Sequence, residues 1–212
     1  CRIMDNLTRA LVVSTVVCVG VGFWLVADMR FALRAMRNLS ILGEQGLLEE
    51  VCVAHELLLK TRRPFVRLLQ RAILPGALEA SYALQLYLVG RMDPALTMAD
   101  RAVGSARNRP AILAGALAAR IQILTSLGRY EEAREEVARL RAIPALHVQP
   151  SLLPVVGLLA FYLGDLAEAR AVADEALAKE PRDSSSKGLL ATIHMVQGET
   201  RHVPKAGDYL LV

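Results

Sequence analysis

Apolar and polar positions along the chain fall into two regimes. Near the start, residues 10–27 (ALVVSTVVCVGVGFWLVA) carry no charge over 18 positions. A helix of that length rises about 27 Å, close to the ~30 Å hydrocarbon thickness of a bilayer. Arg9 and Asp28 bracket the run, and Trp24 stands near its C-terminal end, where an interfacial aromatic is expected. The pattern predicts a single transmembrane helix, with residues 1–28 as an anchor. A signal peptide and a buried core helix are the competing readings of the same run. From residue 76 the regime changes. Largely apolar runs (ASYALQLYLV, LAARIQILTSL, LPVVGLLAFYL and GLLATIHMVQ) lead into Gly90, Gly128, Gly164 and Gly198, spaced by 38, 36 and 34 residues.

The residues after each glycine repeat as well. Ala95, Ala133 and Ala169 each stand five residues after their glycine. Small residues continue as Ala99 and Ala102, and as Ala173 and Ala176, while the middle unit has Val137 and Leu140. Alanine at i, i+4 and i+7 lies on one helical face and lets a second helix pack closely. Glycine supplies the left-handed position that ends a helix. The spacing therefore predicts helical hairpins. One hairpin cannot bury both its faces, so each must stack on a neighbour.

These units resemble the tetratricopeptide repeat (TPR) family, a helix–turn–helix of 34 residues. Residues 150–183 match best, with Gly157 at the small position of the first helix, LGDLAEA at the turn and EALAKEP at the second-helix end. Residues 114–147 keep LGRYEEA, residues 76–109 keep LVGRMDPA, and a capping segment 184–200 begins KGLLATIHMVQGE before the C-terminal tail. The resemblance implies an all-α, short TPR-like solenoid of helical hairpins. The first helix of each unit would line a partner groove. Counting back from each glycine places Leu84, Tyr87 and Leu88, then Gln122, Thr125 and Ser126, then Leu158, Phe161 and Tyr162, then Thr192, Met195 and Val196 in that groove. The surface is neutral and mostly apolar, which suits a partner helix or an extended apolar segment. Packing against the chain's own neighbours is the other reading. The family's members that clamp a carboxyl-terminus use Lys, Asn and Arg there, a pattern absent here.

Charge adds an asymmetry. Residues 1–75 hold ten Lys/Arg against six Asp/Glu, and residues 76–212 hold fifteen of each. The excess beside an apolar run fits a membrane surface better than nucleic acid, which favours a basic docking face with aromatics. Residues 29–75 form a basic helical linker or a divergent hairpin turning at Gly43–Gly46. Arg30, Arg34 and Arg37 share one helical face. Arg62, Arg63, Arg67 and Arg71, with Lys60, come next without an intervening acid. These arginines are read as contacts to lipid phosphates or an acidic partner, or as a solvated face. The expected location is a single-pass protein of the bacterial cytoplasmic membrane with its body on the cytoplasmic side. The partners expected are the bilayer, through residues 10–27, and proteins of a membrane complex.

No catalytic chemistry emerges. His55, His147, His194 and His202 are scattered, and Cys52 with His55 on one helical face supplies only two ligands. Phosphate-loop, dinucleotide, zinc-protease and nucleophile-elbow motifs are missing from the sequence. Cys1, Cys18 and Cys52 form no paired framework. The chain begins with Cys rather than Met, so a processed or incomplete N-terminus is expected. The sequence thus predicts an interaction protein rather than an enzyme, with no cofactor and no metal.

Overall fold

A computed structural model describes residues 26–32, 34–35, 37–39, 41–43, 45–68, 70–71, 74–144 and 150–198. Among these the fold is all-helical, with no strand. The apolar run up to residue 25, including Trp24, lies outside the described residues, as do His147 and His202. Among the described residues no helix is long and apolar enough to cross a membrane. The chain divides into two compact units, Cys1–Ile73 and Leu74–Val212.

In the first unit, α1 comprises the described residues between 26 and 43, followed by α2 (Leu48–Lys60) and α3 (Pro64–Leu68). Gly46 has φ +72°, and the amides of Gly46 and Leu47 donate to the carbonyls of Gly43 and Leu42, both at 3.0 Å. That pair of bonds is a Schellman turn between α1 and α2. The short α3 begins at a proline and cannot cap itself with the arginine before it. Asp28 of α1 does so instead: its carboxylate accepts from the Phe65 amide at 2.6 Å and lies 3.5 Å from the Arg63 guanidinium. Asp28 is buried, and Arg63 also sits 3.9 Å over the Phe31 ring. Gln70 donates to the Leu58 carbonyl near the end of α2.

The second unit runs α4 (Ala77–Leu88), α5 (Met92–Ser105), α6 (Pro110–Ser126), α7 (Tyr130–Arg141), α8 (Leu153–Tyr162), α9 (Leu166–Lys179) and α10 (Ser184–Val196). A 3-10 turn at Pro150–Leu152 precedes α8. Gly90, Gly128, Gly164 and Gly198 all adopt positive φ, between 72° and 81°. At the first three the Schellman pair is complete. For example, Gly128 donates to Thr125 at 3.1 Å and Arg129 to Leu124 at 2.9 Å. The turns join α4 to α5, α6 to α7 and α8 to α9, and each of these pairs packs together. The first helices also pack in sequence, α4 on α6, α6 on α8 and α8 on α10.

The repeated alanines explain how closely the pairs approach. Ala95, Ala99, Ala102, Ala133, Ala169, Ala173 and Ala176 are all fully or almost fully buried. Gly157 does the same for α8: a Cβ there would stand 2.7 Å from the end of the Leu189 side chain of α10. α6 touches α4, α5, α7 and α8 and is accordingly apolar on most of its circumference.

One boundary differs from the sequence expectation. The repeat spacing opens the second hairpin at residue 114, whereas α6 starts at Pro110. A proline's fixed φ and missing N–H suit the first helical position, so Pro110 opens the next helix rather than closing the previous one. The additional turn of α6 accounts for the long 38-residue interval between Gly90 and Gly128.

Candidate interaction groove

The first helices leave a cavity of about 600 Å³ along their shared face. Its walls come from α4 (Leu84), α6 (Gly115, Ala118, Ala119, Gln122), the 3-10 turn and α8 (Ser151, Leu152, Pro154, Val155, Leu158, Phe161, Tyr162) and α10 (Ser185, Gly188, Leu189, Thr192). No residue of α5, α7 or α9 takes part. The stacking fixes this outcome, because alanine spacers turn the second helices onto the other side of the first.

Leu84, Gln122, Leu158, Phe161, Tyr162 and Thr192, singled out by counting back from the turn glycines, share this cavity. Phe161 and Tyr162 meet edge to face at 5.9 Å, and Tyr162 stacks on Tyr130 of α7 at 6.4 Å, which fixes its ring at the rim. Tyr87 stands apart from the cavity wall; its hydroxyl accepts from Ser126 at 3.1 Å and links α4 to α6. Leu88, Met195 and Val196 are more than half exposed but do not line the cavity. Thr125 is 2% exposed, and its hydroxyl donates to the Ile121 carbonyl at 2.7 Å. It lies inside the core and presents nothing to a ligand.

Gly115 and Gly188 belong to the groove, and the repeat spacing does not single them out. Both sit within helices, at ordinary helical φ, and a Cβ added to either meets nothing within 4 Å. Gly157, in the same run of apolar residues as much of the α8 wall, is the opposite case, since α10 fills its space. A glycine inside a predicted helix is a recognisable anomaly, but only the packing tells a spacer from an opening.

The electrostatics are weak in the groove and strong behind it. The wall offers the Gln122 amide, Ser and Thr hydroxyls and no charged side chain. Behind it, Arg120 of α6 joins Asp100 of α5 at 2.7 Å and also the buried Glu136 of α7. Arg139 adds a second contact to Glu136 at 2.7 Å. On the exposed face of α7, Arg129 holds Glu132 through two bonds of 2.6 and 2.7 Å. Those bonds hold the Glu132 carboxyl below its ordinary pKa. Arg141 and Glu168 pair at 2.6 Å across a separate depression of about 420 Å³ between α7, α8 and α9.

Arg30, Arg34, Arg37, Arg62, Arg63, Arg67 and Arg71 are all exposed in the first unit. Two positions of the basic run are engaged within the chain: Lys60 pairs with Glu56, and Arg63 with Asp28 and Phe31. Cys52 and His55 are both buried in α2, and the His55 Nδ1 lies 2.9 Å from the Val51 carbonyl. Burial pushes the His55 pKa down. His194 Nδ1 lies 3.1 Å from an Arg170 amine, and since guanidinium only donates, this nitrogen is the acceptor. Among the described residues no group of three or more His, Cys, Asp or Glu side chains could hold a metal ion. In comparisons with protein-family models and with curated proteins, nothing matches this chain.

Proposed function

We propose that the chain is a membrane-tethered interaction module, a scaffold or accessory subunit of a larger membrane complex. Residues 76–200 act as a short TPR-like solenoid, and residues 10–27 carry it into the bilayer. The first-helix groove takes an apolar segment of a partner protein. The observation that supports this most is the groove's composition: aromatic and leucine side chains, one side-chain amide, and two helical glycines opening onto free space. A cavity of this size and lining has the character of a binding site rather than a packing fault. Tethering raises the concentration of a partner already at the membrane. The exposed arginines of the first unit face lipid phosphates in this reading.

The sparse polar groups of the groove fix little sequence, which also suits an assembly or quality-control factor holding several clients in turn. The two roles differ in stoichiometry. A fixed ratio of partner to chain after purification identifies the scaffold, and a low, variable ratio identifies the holding factor.

Gln122→Ala with Phe161→Ala should weaken partner recovery from membranes by about tenfold, the loss of one or two interface anchors. Arg67→Ala with Arg71→Ala should reduce it less and make it less salt-sensitive. Equal or reversed effects would move the interaction from the groove to the basic cluster.

A further inference from the structure

α2 has two faces of unlike character. Val51, Cys52, His55 and Leu58 are buried and form its inner face. A helix that meets only water on its other face carries polar residues there. Instead Val53 and Leu57, one turn apart, are 57% and 66% exposed. Ala54 lies half-buried beside them. A shallow depression of about 320 Å³ lies against Glu49, Glu50, Val53, Ala54 and Leu57.

Charge is ordered along the same stripe. Glu50 stands one turn before Val53 and Lys60 one turn after Leu57, and both are exposed. The stripe reads acid, valine, leucine, base, and it complements itself when reversed. Laid parallel, two copies would set Glu50 against Glu50 and Lys60 against Lys60. Laid antiparallel, about a two-fold axis midway between Val53 and Leu57, Val53 of each copy meets Leu57 of the other. Glu50 of each copy then faces Lys60 of the other. Glu49 and Glu56 meet the uncharged Thr61 and Ala54 in that register, so no like charges oppose. Antiparallel helix dipoles add to the attraction. Lys60 also pairs with Glu56 of its own chain. Its ammonium has three donors, enough for both carboxylates.

We propose that two copies of this chain associate through α2, antiparallel, in a symmetric contact of Glu50, Val53, Leu57 and Lys60. The contact is separate from the first-helix groove and does not depend on it. Helices of 13 residues meet over about 20 Å. One such pair buries less than the roughly 1,200 Å² of a standard stable interface, so the dimer is weak and concentration-dependent.

Association is read by Förster transfer between donor- and acceptor-labelled full chains in a neutral detergent, from micromolar to submillimolar concentration. The unmodified chain should give a signal that rises with concentration. Val53→Ser with Leu57→Ser should weaken association at least about tenfold, since the apolar contact is lost. Glu50→Lys alone, or Lys60→Glu alone, should each weaken it about tenfold, because two attractive pairs become repulsive. Mixing the Glu50→Lys chain with the Lys60→Glu chain should restore it, and so should both substitutions in one chain. Circular dichroism should give the same helical content for every variant. A monomeric unmodified chain, or a signal indifferent to Val53→Ser with Leu57→Ser, would overturn the α2 contact. Charge reversals without effect, or losses that the mixture does not recover, would overturn the antiparallel pairing.

Discussion

Among single residues, the glycines decide most. Gly128 and Gly164 hold φ of 73° and 81°, so an alanine there pays for a left-handed backbone although nothing crowds its Cβ. Gly115 and Gly188 are helical and face open space, so alanine there only lowers backbone entropy in the unfolded chain. Gly164→Ala should destabilise by about 1–2 kcal/mol. Gly115→Ala and Gly188→Ala should each stabilise by about 0.5–1 kcal/mol. Thermal denaturation of the three single variants reads both signs. The turn glycines were legible because they recur in phase with apolar runs. The groove glycines were not, because a glycine's reason lies in the space around it. His55 gives a second single-residue test. Its folded pKa lies below the ordinary 6.5 because burial disfavours the charged ring. Above 6.5 both states are neutral and contribute no slope. As pH falls below 6.5 the unfolded chain takes up a proton that the folded one resists, and stability falls until the folded pKa is passed. Urea midpoints measured from pH 7.5 down to 5 should therefore decline for the unmodified chain more than for His55→Leu.

Among the helices, the acids of α7 separate local pairing from pairing imposed by packing. EEAREE predicts exposed i, i+3 and i, i+4 pairs, and Glu131–Arg134 and Arg129–Glu132 are such pairs. Glu136 departs from that reading. It is buried and joined to Arg120, sixteen residues earlier, because the α6–α7 packing brings the two together. Likewise Glu168 of α9 pairs with Arg141 of α7, a partner 27 residues earlier. Arg120→Ala should cost about 3 kcal/mol, since it leaves a buried carboxylate with Arg139 as its remaining partner. Arg120→Met with Glu136→Leu should recover most of that loss, because an apolar pair needs no desolvation of charge. A double-mutant cycle in urea measures the coupling, and additive losses would show that the pair contributes nothing jointly. The hairpins themselves were legible from turn chemistry and alanine spacing. The start of α6 was not, because Pro110 reads equally well as the end of one helix or the beginning of the next.

For the whole molecule, the proposal is that stacked first helices present one groove to a protein partner at a membrane. Periodicity gave the phase of six of its residues, since successive first helices share one geometry. It missed the burial of Thr125, which depends on how α6 is enclosed by its neighbours. The decisive measurement is site-specific photocrosslinking in native membranes, with the crosslinker at Gln122 in the groove or at Glu135 on the exposed side of α7. A groove-bound partner should give a discrete protein adduct from position 122, little from position 135, and loss of the position-122 adduct when Gly188→Leu fills the groove. Equal adducts from both positions, or a position-122 adduct indifferent to Gly188→Leu in a chain of unchanged thermal midpoint, would rule the groove out as the partner site.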